Sequence, residues 1–389
     1  MRFNTKRGIS LIVLVITIIV MIILAAAIIL SLSNSGIIGK ANKAKTDSDN
    51  ANLKEYVNTL RAEWELMTES ERTASGSATF EDYANKKLEE NGYKQRLSED
   101  GTLMKEAVAA AIKAGIQVGD GVTGYTLNVS TYTTSGEENT CDPDNNTETN
   151  PQPNTVTTNT DITWKYLGVN TNGEMEIMAD LSTTTAVAEN TKVTLGGKGG
   201  YLKGPGMLNI ICEKLYSKDG VGTARSMNID DVNNILGYTG EKGVYYDNDY
   251  TYISTKEALT IGEVESKLGI HLDKRNTPDG KELALYKLDG YCIYRESDLD
   301  EISIPGNMNL IYNKNSYWLA SPCVYALFAD KYVNFCVRCV SSPSVYANDL
   351  FDSKANSNGI TETVRPVVTL NSNVRLTPNA DKTEWTINQ

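Results

Sequence analysis

The sequence predicts an α+β protein in which a long N-terminal helix precedes a β-rich domain. Residues 9–32 form an apolar run broken only by Ser10, Thr17 and Ser31. At about 1.5 Å per residue this run makes a helix of roughly 36 Å, and a bilayer core is about 30 Å thick. Farther along, helical spacing and strand-like alternation of apolar residues occur in turn, which is typical of mixed folds. We therefore expect a transmembrane helix over residues 9–32 and soluble domains after it.

An amphipathic segment extends the predicted helix over residues 40–67. Its apolar residues recur at alternating spacings of four and three, which is the spacing of a coiled-coil seam. This seam consists of Leu53, Val57, Leu60, Trp64 and Met67. We expect it to pack against another helix.

Three basic residues precede the apolar run, namely Arg2, Lys6 and Arg7. Positive charges beside a membrane span tend to stay in the cytoplasm. The sequence therefore predicts a single-pass protein with a cytoplasmic N-terminus and an exported remainder, located in the cell membrane and on the extracellular surface.

The segment Lys6-Arg-Gly-Ile-Ser-Leu-Ile12 resembles the leader-peptidase site of type IV prepilins. The resemblance implies a leader peptide of residues 1–8, cleavage between Gly8 and Ile9, and a helix over residues 9–67 that packs with other pilin subunits. Val13 occupies the fifth mature position, where that family usually has glutamate. Two other interpretations stay open: an uncleaved signal anchor, and a secretory signal cut after Ala27.

Composition limits the classes of partner and of site. The chain has 389 residues, enough for two domains beyond the helix, and a net charge of −12 with no basic stripe outside the leader. A nucleic-acid partner is therefore not expected. His271 is the single histidine, which excludes zinc or triad sites that need several histidines.

Six cysteines are present, and their pairing cannot be assigned from the sequence; they are Cys141, Cys212, Cys292, Cys323, Cys336 and Cys339. Cys336 and Cys339 have CxxC spacing, but residues 333–340 alternate like a strand. Residues three apart on a strand face opposite sides. We therefore expect no redox motif, no metal site and no other cofactor.

The remaining chain divides into four segments. A small α+β module over residues 68–134 has predicted helices at 79–91 and 104–114 and a strand at 122–133. A polar linker covers residues 135–160, and a tail covers 377–389. The head domain, residues 161–376, has a predicted hairpin (162–169 and 174–179), helices at 208–216 and 229–236, and a β-rich, loop-rich region from Tyr317 to Leu370.

The landmarks of the head follow a familiar order. A helix with Cys212 precedes Ala224-Arg-Ser226 and an acidic-start helix, and Trp318 precedes Arg365-Pro-Val-Val368. This order resembles the C-type-lectin-like fold, in the branch shared by formylglycine-generating enzymes and the variable proteins of diversity-generating retroelements. Thr363 and Val364 stand where that family usually has a glycine before the arginine. The resemblance implies a ligand-binding domain whose core fixes the backbone while surface residues, which are diversified in the retroelement proteins, carry recognition.

Residues 322–358 suit that role because large apolar and tyrosine side chains, typical of binding surfaces, concentrate there. The alternative is that these side chains fill the core. The predicted ligand-binding residues are Tyr325, Ala326, Leu327, Phe328, Lys331, Tyr332, Asn334, Cys336, Ser341, Tyr346, Asn348 and Asp349.

Three functions follow from these observations. The first is a pilin-like, membrane-anchored surface adhesin that binds a cell-surface protein or glycan. The second is a minor pilin or pseudopilin with a passive head in a type IV pilus or a secretion filament. The third is an enzyme of the formylglycine-generating type, for which no motif supplies the cysteine arrangement or metal. We expect the first, without enzymatic activity.

Overall fold

The computed structural model describes residues 37–93, 95–97, 103–134, 153–180, 191–237, 244–246, 251–253, 260–288, 307–311, 316–327, 330–341 and 344–388. Gly8 and Ile9 of the predicted processing site, the apolar run 9–32, and Phe328, Cys141 and Cys292 lie outside these residues. Within them, the protein is a mixed α+β fold. None of the described helices is both long and apolar enough to cross a bilayer.

The chain forms two compact units. The first comprises residues 1–93 and 99–103, and the second comprises residues 94–98 and 104–389. The described helices of the first unit are α1 (Ile37–Leu66), α2 (Glu69–Ala74) and α3 (Phe80–Glu90). Helix α1 overlaps the segment 40–67 that was predicted to be an amphipathic helix, whereas the predicted continuation from residue 9 lies outside the described residues.

The predicted seam of α1 packs against α3 of the same chain. The Trp64 and Tyr83 rings lie 5.3 Å apart, and the Arg61 guanidinium lies 4.1 Å from the centre of the Phe80 ring. Thr79 caps the start of α3 by accepting the Asp82 N–H at 3.2 Å, so the capped helix predicted over residues 79–91 is confirmed. The seam residues buried in this unit are Leu53, Val57 and Leu60.

The remaining helices are α4 (Glu106–Ala114), α5 (Gly197–Tyr216), α6 (Ile229–Leu236), α7 (Ile261–Leu268) and α8 (Met308–Ile311), with a 3₁₀ turn at Leu283–Leu285. The strands are β1 (Gln95–Leu97), β2 (Leu103–Lys105), β3 (Gly121–Thr123), β4 (Thr131–Thr133), β5 (Thr155–Thr157), β6 (Thr163–Val169), β7 (Met175–Asp180), β8 (Lys192–Gly196), β9 (Gly222–Ser226), β10 (Val244–Tyr246), β11 (Thr251–Ile253), β12 (Tyr317–Leu327), β13 (Tyr332–Ser341), β14 (Ser344–Asp352), β15 (Gly359–Thr363), β16 (Pro366–Leu370), β17 (Arg375–Pro378) and β18 (Glu384–Asn388).

Two larger sheets organise the second unit. One has seven strands in the order β17-β18-β3-β6-β7-β16-β9, and the other has five in the order β14-β13-β12-β15-β8. Helix α5 contacts strands of both sheets, and its apolar side chains share one buried cluster with theirs. The fully buried contributions of α5 include Leu208, Ile211 and Cys212.

The seven-stranded sheet contains strands from three segments that were predicted to be separate: the small α+β module, the head and the tail. Strand β3 pairs with β6 on one side and with β18 on the other. Residues 104–134 and 377–388 therefore belong to the same compact unit as the head. Their short strands complete a sheet whose central members come from the head. The predicted domain boundaries at residues 134 and 376, which were based on composition, do not coincide with the limits of this unit.

Several predicted elements are confirmed. The hairpin forms from β6 and β7, and helix α4 lies within the predicted range 104–114. Helix α6 has the predicted bounds: Asn228 caps its start, and Gly237 closes it at a positive φ of 64°. Gly237 is favoured there because glycine alone adopts that conformation without steric cost.

Other predictions are wrong. Helix α5 begins at Gly197, not at residue 208. The prediction missed its first turns because glycines and Pro205, which are unusual inside helices, occupy them. The strand predicted over 122–133 is two short strands, and residues 155–157 of the predicted linker form β5, which pairs with β4. The region from Tyr317 is not loop-rich: β12, β13 and β14 have 11, 10 and 9 residues.

Candidate functional site

An ion-pair network fixes the strand that carries the Ala-Arg-Ser motif. Arg225 on β9 donates from Nη1 to Asp231 Oδ2 at 2.6 Å and from Nη2 to Asp231 Oδ1 at 2.7 Å. Its Nη2 also donates to Glu176 Oε2 at 2.9 Å. Asp231 and Glu176 are buried, so the guanidinium compensates two carboxylates that have lost most of their hydration.

The Arg-Pro-Val-Val motif lies on the neighbouring strand, with Val367 of β16 opposite Arg225 of β9. Arg365, just before β16, is buried and donates from Nε to the Ala179 carbonyl at 3.0 Å and from Nη1 to the Tyr317 hydroxyl at 2.9 Å. Trp318 Nε1 donates to the Val193 carbonyl at 2.8 Å. The hydrogen bonds of Arg365 and Trp318 therefore anchor the start of β12.

From that anchor, β12, β13 and β14 form an antiparallel three-stranded ribbon. Residues directly opposite each other in such pairs lie on one face. The register places Cys323 opposite Cys336, Tyr325 opposite Asn334, and Leu327 opposite Tyr332. Asp349 of β14 lies opposite Cys336. We call this face, defined by Cys323, Tyr325, Leu327, Asn334, Cys336 and Asp349, the thiol face.

The expected exposure of the predicted ligand-binding residues is wrong for half of them. Consecutive residues of β12 and β13 are buried on both faces of the ribbon, which resolves the open alternative in favour of core packing for these side chains. Ala326 lies on the face opposite the thiol face, in a cluster with Phe335 and Phe351. The buried predicted residues are Tyr325, Ala326, Leu327, Asn334, Cys336 and Asn348.

The thiol face contains a hydrogen-bonded group centred on Asp349. The Tyr325 hydroxyl lies 2.7 Å from both carboxyl oxygens of Asp349, and the Cys336 thiol donates to Oδ1 at 3.2 Å. Burial raises the pKa of Asp349 above its ordinary value although these two hydrogen bonds act in the opposite direction. Burial also raises the pKa of the Cys336 thiol well above its ordinary value.

Cys336 and Cys339 lie in different buried clusters, as the strand prediction requires. Burial raises the pKa of Cys339 as well. Neither thiol is therefore activated as a nucleophile, since the reactive form is the thiolate.

Two of the accessible predicted residues, Lys331 and Tyr332, lie at the start of β13, near the segment that follows β14. Lys331 is exposed, Tyr332 is half-buried, and Lys354 Nζ lies 4.3 Å from the centre of the Tyr332 ring. The Asp273 N–H donates to the Lys331 carbonyl at 2.7 Å. We call the group Asp273, Arg275, Lys331, Tyr332 and Lys354 the turn patch.

The turn patch combines three cationic side chains with one carboxylate. Arg275 Nη2 lies 2.7 Å from Asp273 Oδ2, and hydrogen bonds from Arg275 lower the pKa of Asp273. Burial, with nearby carboxylates, raises the pKa of the Tyr332 hydroxyl. The patch thus offers cations, a carboxylate, a phenol and an aromatic ring.

The backbone is strained at Lys331 of the turn patch and at Ala355, which directly follows Lys354 of the patch. Lys331 has φ 56° and Ala355 has φ 73°, a conformation that non-glycine residues rarely adopt. Such strain persists where the surroundings impose it, and it concentrates at functional sites. Backbone hydrogen bonds hold the segment around Ala355. The Ala355 N–H donates to the Asp352 carbonyl at 2.9 Å, and the Ser353 N–H donates to the Val333 carbonyl at 2.8 Å.

Comparison of the chain with family models, with curated proteins and with solved structures finds no match. Among the described residues, no group of three or more His, Cys, Asp or Glu side chains is placed to hold a metal ion.

The predicted ligand-binding residues do not all lie close together in the structure. Ser341 and Tyr346, both half-buried, lie at the other end of the β13–β14 hairpin. Tyr332 and Ser341 stand nine positions apart on one strand, which at about 3.3 Å per residue is roughly 30 Å. Only Lys331 and Tyr332 belong to the turn patch.

Sequence reasoning missed Arg275, Asp273 and Lys354, which reach the turn patch from distant segments. It also missed Cys323 as the residue opposite Cys336. One signal existed for that pair: the two cysteines are equally distant from the turn that joins two alternating strands.

Proposed function

We propose that the protein is a membrane-anchored, pilin-like surface adhesin whose head binds a cell-surface protein or glycan through the turn patch. One observation carries this proposal: two strained non-glycine residues hold an exposed group of charges around an accessible tyrosine ring, at the end of a buried and well-paired ribbon. A rigid scaffold that presents polar and aromatic side chains at a strand end is a common arrangement for recognition.

The buried anchor supports the same proposal. Arg365, from one of the motifs that resemble the C-type-lectin-like fold, donates to the Tyr317 hydroxyl at the base of the ribbon. Arg225, from the other motif, pairs with Asp231 of α6, and the Ile229 N–H of the same helix donates to the Ser321 hydroxyl of β12. A fixed base allows the far end to vary in sequence without loss of the fold. The lectin-like relationship, and diversification of this segment, remain part of the proposal.

An enzyme of the formylglycine-generating type is less well supported. That chemistry needs a reactive thiol or a metal. Burial raises the pKa of Cys336 and of Cys339, which disfavours the thiolate form that reacts.

The test is binding of the full-length chain to arrays of glycans and of cell-surface proteins. Lys331→Ala, Tyr332→Ala and Lys354→Ala are each expected to weaken saturable binding by about tenfold, the effect of losing roughly 1.4 kcal/mol of contact. The matched control is Lys382→Ala, because Lys382 is also exposed and has φ 60°. Binding that all three substitutions leave unchanged, or the absence of any saturable binding, would contradict the proposal.

The anchor has a separate test, since residues 9–32 lie outside the described part of the chain. N-terminal sequencing of the mature protein is expected to begin at Ile9. A start at Met1 would indicate a signal anchor instead, and a start at Ile28 would indicate a secreted protein.

A further inference from the structure

We propose that Cys323 and Cys336 are a disulfide-forming pair that becomes a cross-strand disulfide when the protein meets a disulfide oxidant. Cys323 of β12 lies directly opposite Cys336 of β13. Opposite residues of antiparallel strands have Cα atoms about 4.5–5.5 Å apart. Disulfides span Cα–Cα separations of about 4.4–6.8 Å. The finished bond therefore fits the spacing of the paired strands.

The two thiols are already in contact. Both side chains are buried, at 1% and 0% exposure, in one small cluster with Tyr325, Leu327 and Ala347. The Cys336 thiol is within hydrogen-bonding distance of the Cys323 thiol. The pair consequently meets the condition of proximity as well as that of backbone spacing.

The register also makes the pair specific among the described cysteines. Cys339 lies opposite Trp318 on one side and Tyr346 on the other, so no cysteine stands across from it. Cys212 is buried within the long helix α5. We therefore expect Cys212 and Cys339 to stay reduced when Cys323 and Cys336 are oxidised.

The chemistry is a thiol–disulfide exchange with a small disulfide such as oxidised glutathione. The S–H bonds of Cys323 and Cys336 break and one S–S bond forms. Two electrons and two protons pass to glutathione disulfide, which leaves as two molecules of glutathione. The Asp349 carboxyl then loses the thiol donor at 3.2 Å and keeps the Tyr325 hydroxyl.

Access governs when the exchange occurs. Because both sulfur atoms are buried and the thiolate is the attacking species, the reaction needs the two strands to be separated. We expect it while β12 and β13 pair during folding, or when denaturant opens them transiently.

Trypsin gives a direct test because the chain has cleavage sites after Lys314, Lys331, Arg338 and Lys354. These sites place Cys323, Cys336 and Cys339 on separate peptides: 315–331, 332–338 and 339–354. The full-length chain is incubated with oxidised glutathione at a denaturant concentration just below its unfolding transition. Free thiols are then alkylated in full denaturant, and the digest is analysed by mass spectrometry without reduction.

The expected product is peptide 315–331 joined to peptide 332–338, lighter than their sum by two hydrogen atoms and separated by reductant. Peptide 339–354 should carry an alkylated thiol. Recovery of Cys323 and Cys336 as alkylated thiols, as stable glutathione adducts, or joined to other cysteines would overturn the proposal.

A second measurement separates this bond from a general effect of reductant. Dithiothreitol is expected to lower the melting temperature of the oxidised full-length chain, but not that of a Cys323→Ala/Cys336→Ala double variant. A Cys339→Ala variant should respond as the unsubstituted chain does. Equal responses of the oxidised chain and the double variant would count against the disulfide. None of these readouts depends on the proposed ligand.

Discussion

Arg225 holds Asp231 with both Nη atoms, at 2.6 and 2.7 Å, across the junction between β9 and the start of α6. Asp231 also accepts the Asn228 N–H at 2.8 Å, so one carboxylate caps the helix and pairs with the strand. The pair thus links β9 to the start of α6. There the Ile229 N–H donates to the Ser321 hydroxyl of β12 at 2.9 Å.

The first prediction concerns this pair. Arg225→Ala is expected to lower the free energy of unfolding by about 3 kcal/mol, because it leaves two buried carboxylates without a counter-charge. The control is Arg275→Ala, which removes a pair whose arginine side chain is 69% exposed and should cost about 0–1 kcal/mol. Denaturant unfolding gives both values, and equal costs would show that burial does not strengthen the Arg225 pair.

The second prediction concerns the cluster on the face opposite the thiol face. Phe335 packs against Tyr201 at 5.4 Å, Tyr286 at 5.1 Å and Phe351 at 6.0 Å between ring centres. Phe335→Ala should therefore cost about 3–5 kcal/mol of stability. Leu66→Ala, at a residue that is 86% exposed, should change it by less than about 0.5 kcal/mol. A small cost for Phe335→Ala would mean that the cluster is loosely packed.

The third prediction uses two glycines. A Cβ on Gly222 would lie 2.7 Å from the Thr369 carbonyl oxygen, whereas a Cβ on Gly206 meets nothing within 4 Å. Gly222→Ala should therefore force β9 away from β16 and lower the melting temperature. Gly206→Ala, on an exposed position of α5, should raise stability by about 0.5–1 kcal/mol. Similar shifts for both variants would contradict the close approach of these strands.

The fourth prediction is a pH dependence from Asp349. Burial raises the pKa of its carboxyl in the folded state, so the folded state favours the protonated form. The associated stability is present below the ordinary carboxyl pKa of about 4 and is lost as the pH rises through the raised value. The melting temperature of Asp349→Asn should thus rise relative to that of the unsubstituted chain across this interval. Parallel curves, or the opposite trend, would show that folding does not disfavour the ionised form of Asp349.

The sequence predicted elements whose ends carry local signals. Asn228 and Gly237 mark both ends of α6, and Thr79 marks the start of α3. The start of α5 has no such signal, and its glycines argue against a helix because glycine usually weakens helices. In this helix the glycines allow close packing: a Cβ on Gly200 would lie 3.1 Å from Leu350 Cδ1.

The site was less predictable than the fold. Alternation along β13 predicts two faces but not that both are covered. Asn334, which was predicted to bind ligand, is therefore buried. Lys331 and Tyr332 were accessible as expected. Their neighbours Asp273 and Arg275 come from a segment more than fifty residues away, and no periodic pattern reports such proximity.

The pairing of β3 with β18 has a consequence for biogenesis. Gly121 lies beside Glu384 and Val122 beside Trp385, and Trp385 Nε1 donates to Asp120 Oδ2 at 3.0 Å. The ribosome must therefore synthesise more than 250 residues after β3 before its partner exists. Closing so long a loop is slow relative to local folding, which keeps this edge of the sheet open during synthesis and delays completion of the domain until residue 386 has emerged.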